Sequence, residues 1–430
     1  MKNLLIDLSP LKTSPTFARV FIGGAISLIG AQMTLTVVGV QVYDITHSTM
    51  AVALVGTIAL VPMILSGLYG GTLVDRFDKR KVSLYSGIIT WLMSAGLATA
   101  AFTKQEVLWI YYALTTIQQV AAVVMQAANS AITPRLLPYD KLAAAAALRG
   151  LSMGAGITLG PALGGVIASL GGFGWAYLTD VILFTASFIG VFMLPAIPPQ
   201  AENKGTNPIR SVIDGLKFLK KSPNIKMAFL ADIVAMVFGN PKSIFPAVGA
   251  LVIGGGAVTV GILSSASAIG VFISSLVSGQ ITRVNKQGQA IVHAVAAYGV
   301  SIFVFGVVIL LGMGNHTHST SFSDVRWGLL IVAVIVTIIS GVADNISGIY
   351  RSTIMQAAVP DGMRGRIQGL YMVVVTGGPR AGDFYVGLVA SLGLLWMPQL
   401  FGGIIIVALI YSLMLRFKSF RDYDARAPKP

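Results

Sequence analysis

Twelve apolar runs follow one another along the 430-residue chain, with short polar segments between them. Each is near the ~20 residues that carry an α-helix across a bilayer. Nothing else constrains the fold as strongly. Charged residues make up 11% of the chain, against roughly 25% in soluble domains, and the mean hydropathy is +0.80. No soluble core hides that much apolar surface, so the solvent is lipid. Membrane barrels use short alternating strands. These runs are continuous and rich in Gly and Ala, which suits helices that pair their own backbone groups. The expected class is an all-α membrane protein with spans at 17–42, 50–73, 82–102, 107–130, 144–170, 174–196, 225–249, 256–281, 290–313, 327–349, 367–391 and 397–415.

The charges orient these spans. Of 30 basic residues, 26 fall in segments on one side. They include the N-terminus (Lys2, Lys12, Arg19), the 2–3 loop (Arg76, Lys79, Arg80, Lys81), the 4–5 loop (Arg135, Lys141, Arg149) and the 10–11 loop (Arg351, Arg364, Arg366). Opposite loops hold only Lys104 and Arg326, while Lys242 and Arg380 lie inside spans. Basic residues collect in cytoplasmic loops, so both termini are expected in the cytoplasm. The net charge of +14 has the same cause and does not call for nucleic acid. The absence of cysteine excludes disulfides and thiolate chemistry. The first span is read as an uncleaved membrane helix, because so many others follow it.

The expected organisation is a six-helix half at 1–196, a cytoplasmic linker at 197–224, a second half at 225–415 and a tail at 416–430. In the linker, Ile209, Val212, Ile213, Leu216 and Leu219 recur at helical spacing opposite Arg210, Asp214, Lys217 and Lys221. Two readings fit, an amphipathic surface helix and a plain connector. The halves echo each other. Ser130-Ala131-Ile132 with Pro138 matches Ser352-Thr353-Ile354 with Pro360 at a constant offset, and Gly160-Pro161 in span 5 matches Gly378-Pro379 in span 11. Two pseudo-symmetric six-helix halves are one known transporter plan.

A polar knot follows span 2, running from Gly71 to Lys81. Gly71, Leu73, Asp75, Arg76, Lys79 and Arg80 follow the pattern Gly-x-Leu-x-Asp-Arg-x-Gly-Arg-Lys, with Asp78 in place of its second Gly. By this motif the chain resembles the major facilitator superfamily over nearly its whole length. The resemblance implies that superfamily's twelve-helix fold, a gating role for Gly71, Asp75, Arg76 and Arg80, and a location in the bacterial cytoplasmic membrane. The pattern's second Gly, at the place Asp78 holds here, is its tight-turn position between spans 2 and 3. Asp75 would latch onto a helix N-terminus of the other half; the plainer reading is positive-inside charge. In span 5, Gly156, Gly160, Pro161, Gly164 and Gly165 resemble the superfamily's antiporter motif, which implies export. Small residues there permit close helix contact and Pro161 bends the helix. Asp344-Asn345, Arg351, Gln356, Pro360 and Arg364-Gly365-Arg366, with Asp232 and Phe238-Gly239-Asn240-Pro241, are similar to the group that includes the bacterial enterobactin exporter.

Ionisable groups at bilayer depth cost at least ~2.5–3.5 kcal/mol each and usually face a polar cavity or a partner. Asp180, Asp232, Lys242, Asp344, Arg380 and Asp383 are such groups. In the superfamily, spans 1, 4, 7 and 10 line the central cavity. Asp232 and Asp344 sit at similar depth, so they are the leading proton-coupling candidates, with Asp383 third. The plain alternative pairs Asp344 with Arg351 and Asp232 with Lys226. Arg380 and Asp383 share a helical face and are expected to pair. Lys242 either draws an anionic substrate or snorkels. Asp180 is expected to be structural. Gln32, Tyr112, Gln118, Gln119, Gln126, Lys242 and Arg380 are the substrate-cavity candidates, a neutral, aromatic lining suited to a bulky amphiphile.

No phosphate-binding Gly-x-x-x-x-Gly-Lys-Ser/Thr loop occurs, so ATP is not the expected energy source. His316 and His318 are read as loop residues, and no metal, cofactor or enzymatic constellation is expected. The expectation is a monomeric secondary transporter exporting a siderophore or amphiphilic drug in exchange for protons, a role consistent with multidrug resistance. The alternatives are uptake of a polar solute and a membrane sensor that moves nothing.

Overall fold

The computed structural model describes residues 7–198, 208–276, 284–313 and 322–424, which are helical with no strand among them. Spans 1 to 6 are Pro15–Thr46, Thr49–Arg76, Lys79–Phe102, Leu108–Leu136, Leu142–Gly171 and Phe173–Phe192. Span 7 has two pieces, Pro223–Gly239 and Phe245–Leu251. Spans 8 to 12 are Gly256–Leu276, Gln287–Gly312, Trp327–Ala358, Asp361–Ala390 and Met397–Arg416. Among the described residues, eleven of these are long and apolar enough to cross a membrane. Span 11 is the twelfth. Its 30 residues are ample, but glycines, Arg380 and Asp383 lower its hydropathy.

Several helices outrun their apolar cores, and this corrects the expected loops. Span 2 continues through Gly71 to Arg76, so Gly71 is helical. The reversal falls on Phe77 and Asp78 alone. Asp78 takes φ −57° and accepts a hydrogen bond from the Lys81 N–H, capping span 3. A carboxylate at the N-cap satisfies a free helix donor, which accounts for Asp in place of Gly. Span 10 likewise continues to Ala358, so Arg351 lies within a helix and outside any loop. Arg149 is in span 5, where it donates to Ser130 Oγ and Thr133 Oγ1 of span 4. The echo between halves survives: span 4 stops two residues before Pro138 and span 10 two residues before Pro360, where a proline disfavours helix in the preceding residue.

Contacts divide the chain into two compact units, 1–45 with 58–205, and 46–57 with 206–430. In the first, glycines set the helix spacing. Side chains at Gly156, Gly160 and Gly164 would strike Leu28, Gln32 and Met33 of span 1. Gly23 and Gly30 of span 1 press on Ala186 and Asp180 of span 6. Span 1 is thus gripped by spans 5 and 6. In the second unit Gly378 and Gly382 of span 11 sit on Met236 of span 7, and Gly402 of span 12 sits on the Phe238 carbonyl. Span 11 meets span 7 as span 5 meets span 1. The core of this unit gathers Ile225, Phe229, Ile291, Tyr350, Ile354 and Ile406.

Of the linker, residues 208–221 form a helix, Pro208–Lys221, and 199–207 lie outside the described residues. It packs on span 11: Asp214 pairs with Arg366 at 3.3 Å, and Gly215 backs onto the Arg366 carbonyl. His316 and His318 lie outside the described residues.

Candidate functional site

Asp344 and Arg351 are seven residues apart on span 10, two helical turns, so they share a face. Arg351 is 3% exposed and Asp232 of span 7 is 0% exposed. Arg351 Nη2 lies 2.9 Å from Asp232 Oδ1 and 3.6 Å from Asp344 Oδ1. One guanidinium therefore holds both acids that the sequence singled out. Their environments differ sharply, since the Asp344 side chain is 44% exposed. Tyr371 of span 11 lies against Asp232. Tyr298 of span 9 stands within electrostatic reach of Asp344 and Arg351, and its hydroxyl donates to the Gly239 carbonyl at 2.7 Å. Lys226 is not the partner of Asp232, contrary to the plain alternative, because Arg351 occupies that place.

Span 7 breaks just beyond Gly239. Asn240 precedes Pro241 and takes an extended conformation, φ −77° and ψ 109°, as the residue before proline tends to. The break frees Asn240 to act across helices. Its amide donates to the Pro379 carbonyl and to Asp383 Oδ1, each at 2.9 Å. Arg380 Nη1 is 3.8 Å from Asp383 Oδ2. Lys242, exposed just past the break, feels the charges of Asp383, Arg380 and Asp344. Gly56, which clusters with this unit, leaves room for Arg380 and Asp383.

Six charges of this unit form an alternating series: Asp232, Arg351, Asp344, Lys242, Asp383, Arg380. Spans 7, 10 and 11 supply all of them. Alternation lets each charge be offset locally in a low-dielectric setting, where an isolated ion is costly. Sequence reasoning named Arg351 only as the alternative partner of Asp344 and missed its pairing with Asp232, because Arg351 lies past the apolar stretch of span 10. The signal was present in the helical spacing of Tyr350, Ile354, Met355 and Ala358, all buried. It also missed the break in span 7.

The first-half candidates separate. Gln118 is buried and donates to Ser94 Oγ at 2.7 Å, as part of a network among spans 3, 4 and 6. Tyr112 and Gln119 are also buried, Gln126 is exposed, and Gln32 is half-buried where Gly160 meets span 1. In the polar knot, Arg80 donates to the Phe192 carbonyl at the end of span 6 at 2.7 Å, while Asp75 and Arg76 are exposed. A cation at a helix C-terminus offsets the free carbonyls there.

Comparison with known proteins places this geometry. A family model described as transmembrane secretion effector (MFS_3) matches residues 6–429. The chain is 28% identical to the enterobactin exporter EntS of Citrobacter koseri over 428 residues, covering 98% of this chain and 97% of that one. The Shigella boydii enterobactin exporter is 27% identical with the same coverage. Among solved structures, the nucleoside transporter NupG superposes with a TM-score of 0.71 at 16% identity, covering 94% of this chain and 99% of that one. A D-xylose–proton symporter superposes with a TM-score of 0.69 at 11% identity, covering 92% and 96%. At such identities the structures establish the shared fold.

Proposed function

Because the chain belongs to the transmembrane secretion effector family of the major facilitator superfamily, and so is a multi-pass secondary transporter, we propose that it exports a small amphiphilic molecule of the siderophore class in exchange for protons. The enterobactin exporters, similar along their full length, support the direction and the substrate class. The span-5 glycine motif supports export as well. The positive-inside bias supports cytoplasmic termini and a bacterial cytoplasmic membrane. The protein works as a monomer by alternating access, its two halves joined by the linker.

The observation that carries the mechanism is Arg351 shared between a buried and an exposed acid. Asp232 is the fixed counter-charge. Asp344, 44% exposed, is the proton carrier. A proton on Asp344 removes its hold on Arg351, which then rests wholly on Asp232. Loss of that proton restores the shared arrangement. An ion-pair contact of 3.6 Å at a half-exposed acid is weak enough to make and break, whereas the 2.9 Å pair is too deeply buried to open cheaply. Lys242 with Arg380 attracts the anionic groups of the substrate, and Asp383, itself held by the Asn240 amide, pairs with Arg380. The Asp75 latch belongs to the same cycle, as a contact formed in one state only.

A flux screen of purified protein in proteoliposomes tests this reading. Catecholate and hydroxamate siderophores, lipophilic cations and polar solutes are compared under an imposed proton gradient. The siderophores are expected to move against the direction of proton flow. Concentrative uptake of a polar solute with its proton gradient would overturn the export reading, and absence of flux for every class would favour a sensor.

A further inference from the structure

Asp180 of span 6 is the membrane-embedded acid that stands apart from the charge series of the second unit. It is 0% exposed. Its Oδ2 lies 2.8 Å from Thr34 Oγ1 of span 1 and 2.8 Å from Ser94 Oγ of span 3. Its Oδ1 is buried without a hydrogen-bond partner, in a niche that exists because residue 30 is glycine. Among the described residues no charged side chain acts on it; burial and the two hydroxyls are its only influences. Along the helices that surround it, Asp44 and Lys104 are ten residues from Thr34 and Ser94, ~15 Å of helix. Lys141 and Arg149 lie toward the start of span 5. Tyr177, three residues before it, turns its hydroxyl to Gln41 Oε1 at 2.7 Å.

The hydrogens around Ser94 say more. Ser94 Oγ lies 3.2 Å from the Thr90 carbonyl, 2.8 Å from Asp180 Oδ2 and 2.7 Å from Gln118 Nε2. The hydroxyl has one hydrogen to give and two lone pairs. The Gln118 amide donates to it. If Asp180 were ionised, that hydrogen would have to serve the carboxylate and the Thr90 contact would go unmet. If Asp180 carries a proton, every contact of Ser94 Oγ and of Asp180 Oδ2 closes: the acid donates to Ser94 Oγ, Ser94 donates to the Thr90 carbonyl, and Thr34 donates to Asp180. A buried carboxylate with no cation beside it is otherwise a costly charge.

We propose that Asp180 is a second proton-binding site, in the first unit, that holds its carboxyl as the neutral acid in this conformation. Loss of the proton to a water molecule leaves the carboxylate to be met by Ser94, whose hydroxyl rotates from Thr90 to Asp180. Spans 1, 3, 4 and 6 supply every group involved, so the protonation state reports how these helices sit together. The site stands independently of the substrate, of the direction of transport and of Asp344.

Infrared spectroscopy of the full-length protein in proteoliposomes at neutral pH tests it. A protonated-carboxyl C=O band is expected in the wild type and lost in Asp180→Asn, with that variant keeping the wild-type melting temperature because an amide also accepts from Thr34. In Ser94→Ala, which keeps the acid, the band is expected to persist at higher frequency as its hydrogen bond disappears. Wild type lacking a band assignable to Asp180 would overturn the proposal. So would sodium raising the melting temperature of the wild type and leaving Asp180→Asn unmoved, since the occupant would then be a metal cation.

Discussion

Arg351 decides the electrostatics of the second unit, and removal of its two acids is expected to differ sharply in cost. Truncating one member of a buried pair strands the other, which costs about 3–5 kcal/mol. Arg351→Met and Asp232→Asn are therefore each expected to lower the melting temperature markedly. The double variant, which strands nothing, is expected to recover much of the loss, and thermal unfolding of the purified proteins measures both. Asp344→Asn is expected to fold and melt as wild type, because its side chain is 44% exposed. The same residues show how far the sequence was legible. Asp232 and Asp344 stood out because a charge within an apolar run is rare. Arg351 was legible only as the alternative partner of Asp344, because a cation past the last apolar stretch looks like any cytoplasmic loop residue. Helix length past the lipid core is set by packing against neighbours, and hydropathy carries little of that.

At the level of elements, glycine position matters more than glycine content. Span 5 holds Gly154, whose surroundings are empty within 4 Å, and Gly160, wedged against span 1. Gly160→Ala is expected to destabilise by about 1–3 kcal/mol, as overpacking does. Gly154→Ala is expected to be neutral or slightly stabilising, since Ala favours helix over Gly by about 1 kcal/mol. Melting temperatures of the two variants make the comparison. The cap of span 3 offers a second test. Asp78→Ala is expected to cost about 1 kcal/mol, while Asp78→Gly costs only a few tenths. The glycine motif of span 5 was readable as a packing device from its spacing alone. The sequence put the 2–3 turn in doubt because Asp78 replaces the motif's second Gly, and the chain nonetheless reverses at Phe77 and Asp78, where the carboxylate caps span 3. The break in span 7 was hidden. Gly239-Asn240-Pro241 was noticed as a resemblance, and its consequence appears only when Asn240 is seen reaching Pro379 and Asp383.

For the molecule as a whole, two features dominate: a repeated packing plan and an unequal distribution of charge. Span 5 grips span 1 and span 11 grips span 7 through glycines at matching places, which the echo of Gly160-Pro161 in Gly378-Pro379 anticipated. The charge series, by contrast, belongs to one unit only; the other keeps neutral networks around Asp180 and Gln41. Neutralising Lys242 as Gln is expected to raise the KM for an anionic siderophore several-fold and to leave a lipophilic cation unaffected, as flux against substrate concentration reads out. The most direct test of the coupling claim is siderophore flux driven by a proton gradient in proteoliposomes holding Asp344→Asn. Substrate exchange across the membrane is expected to continue at equal concentrations while the gradient no longer drives accumulation. Gradient-driven accumulation at the wild-type level in that variant would contradict the account.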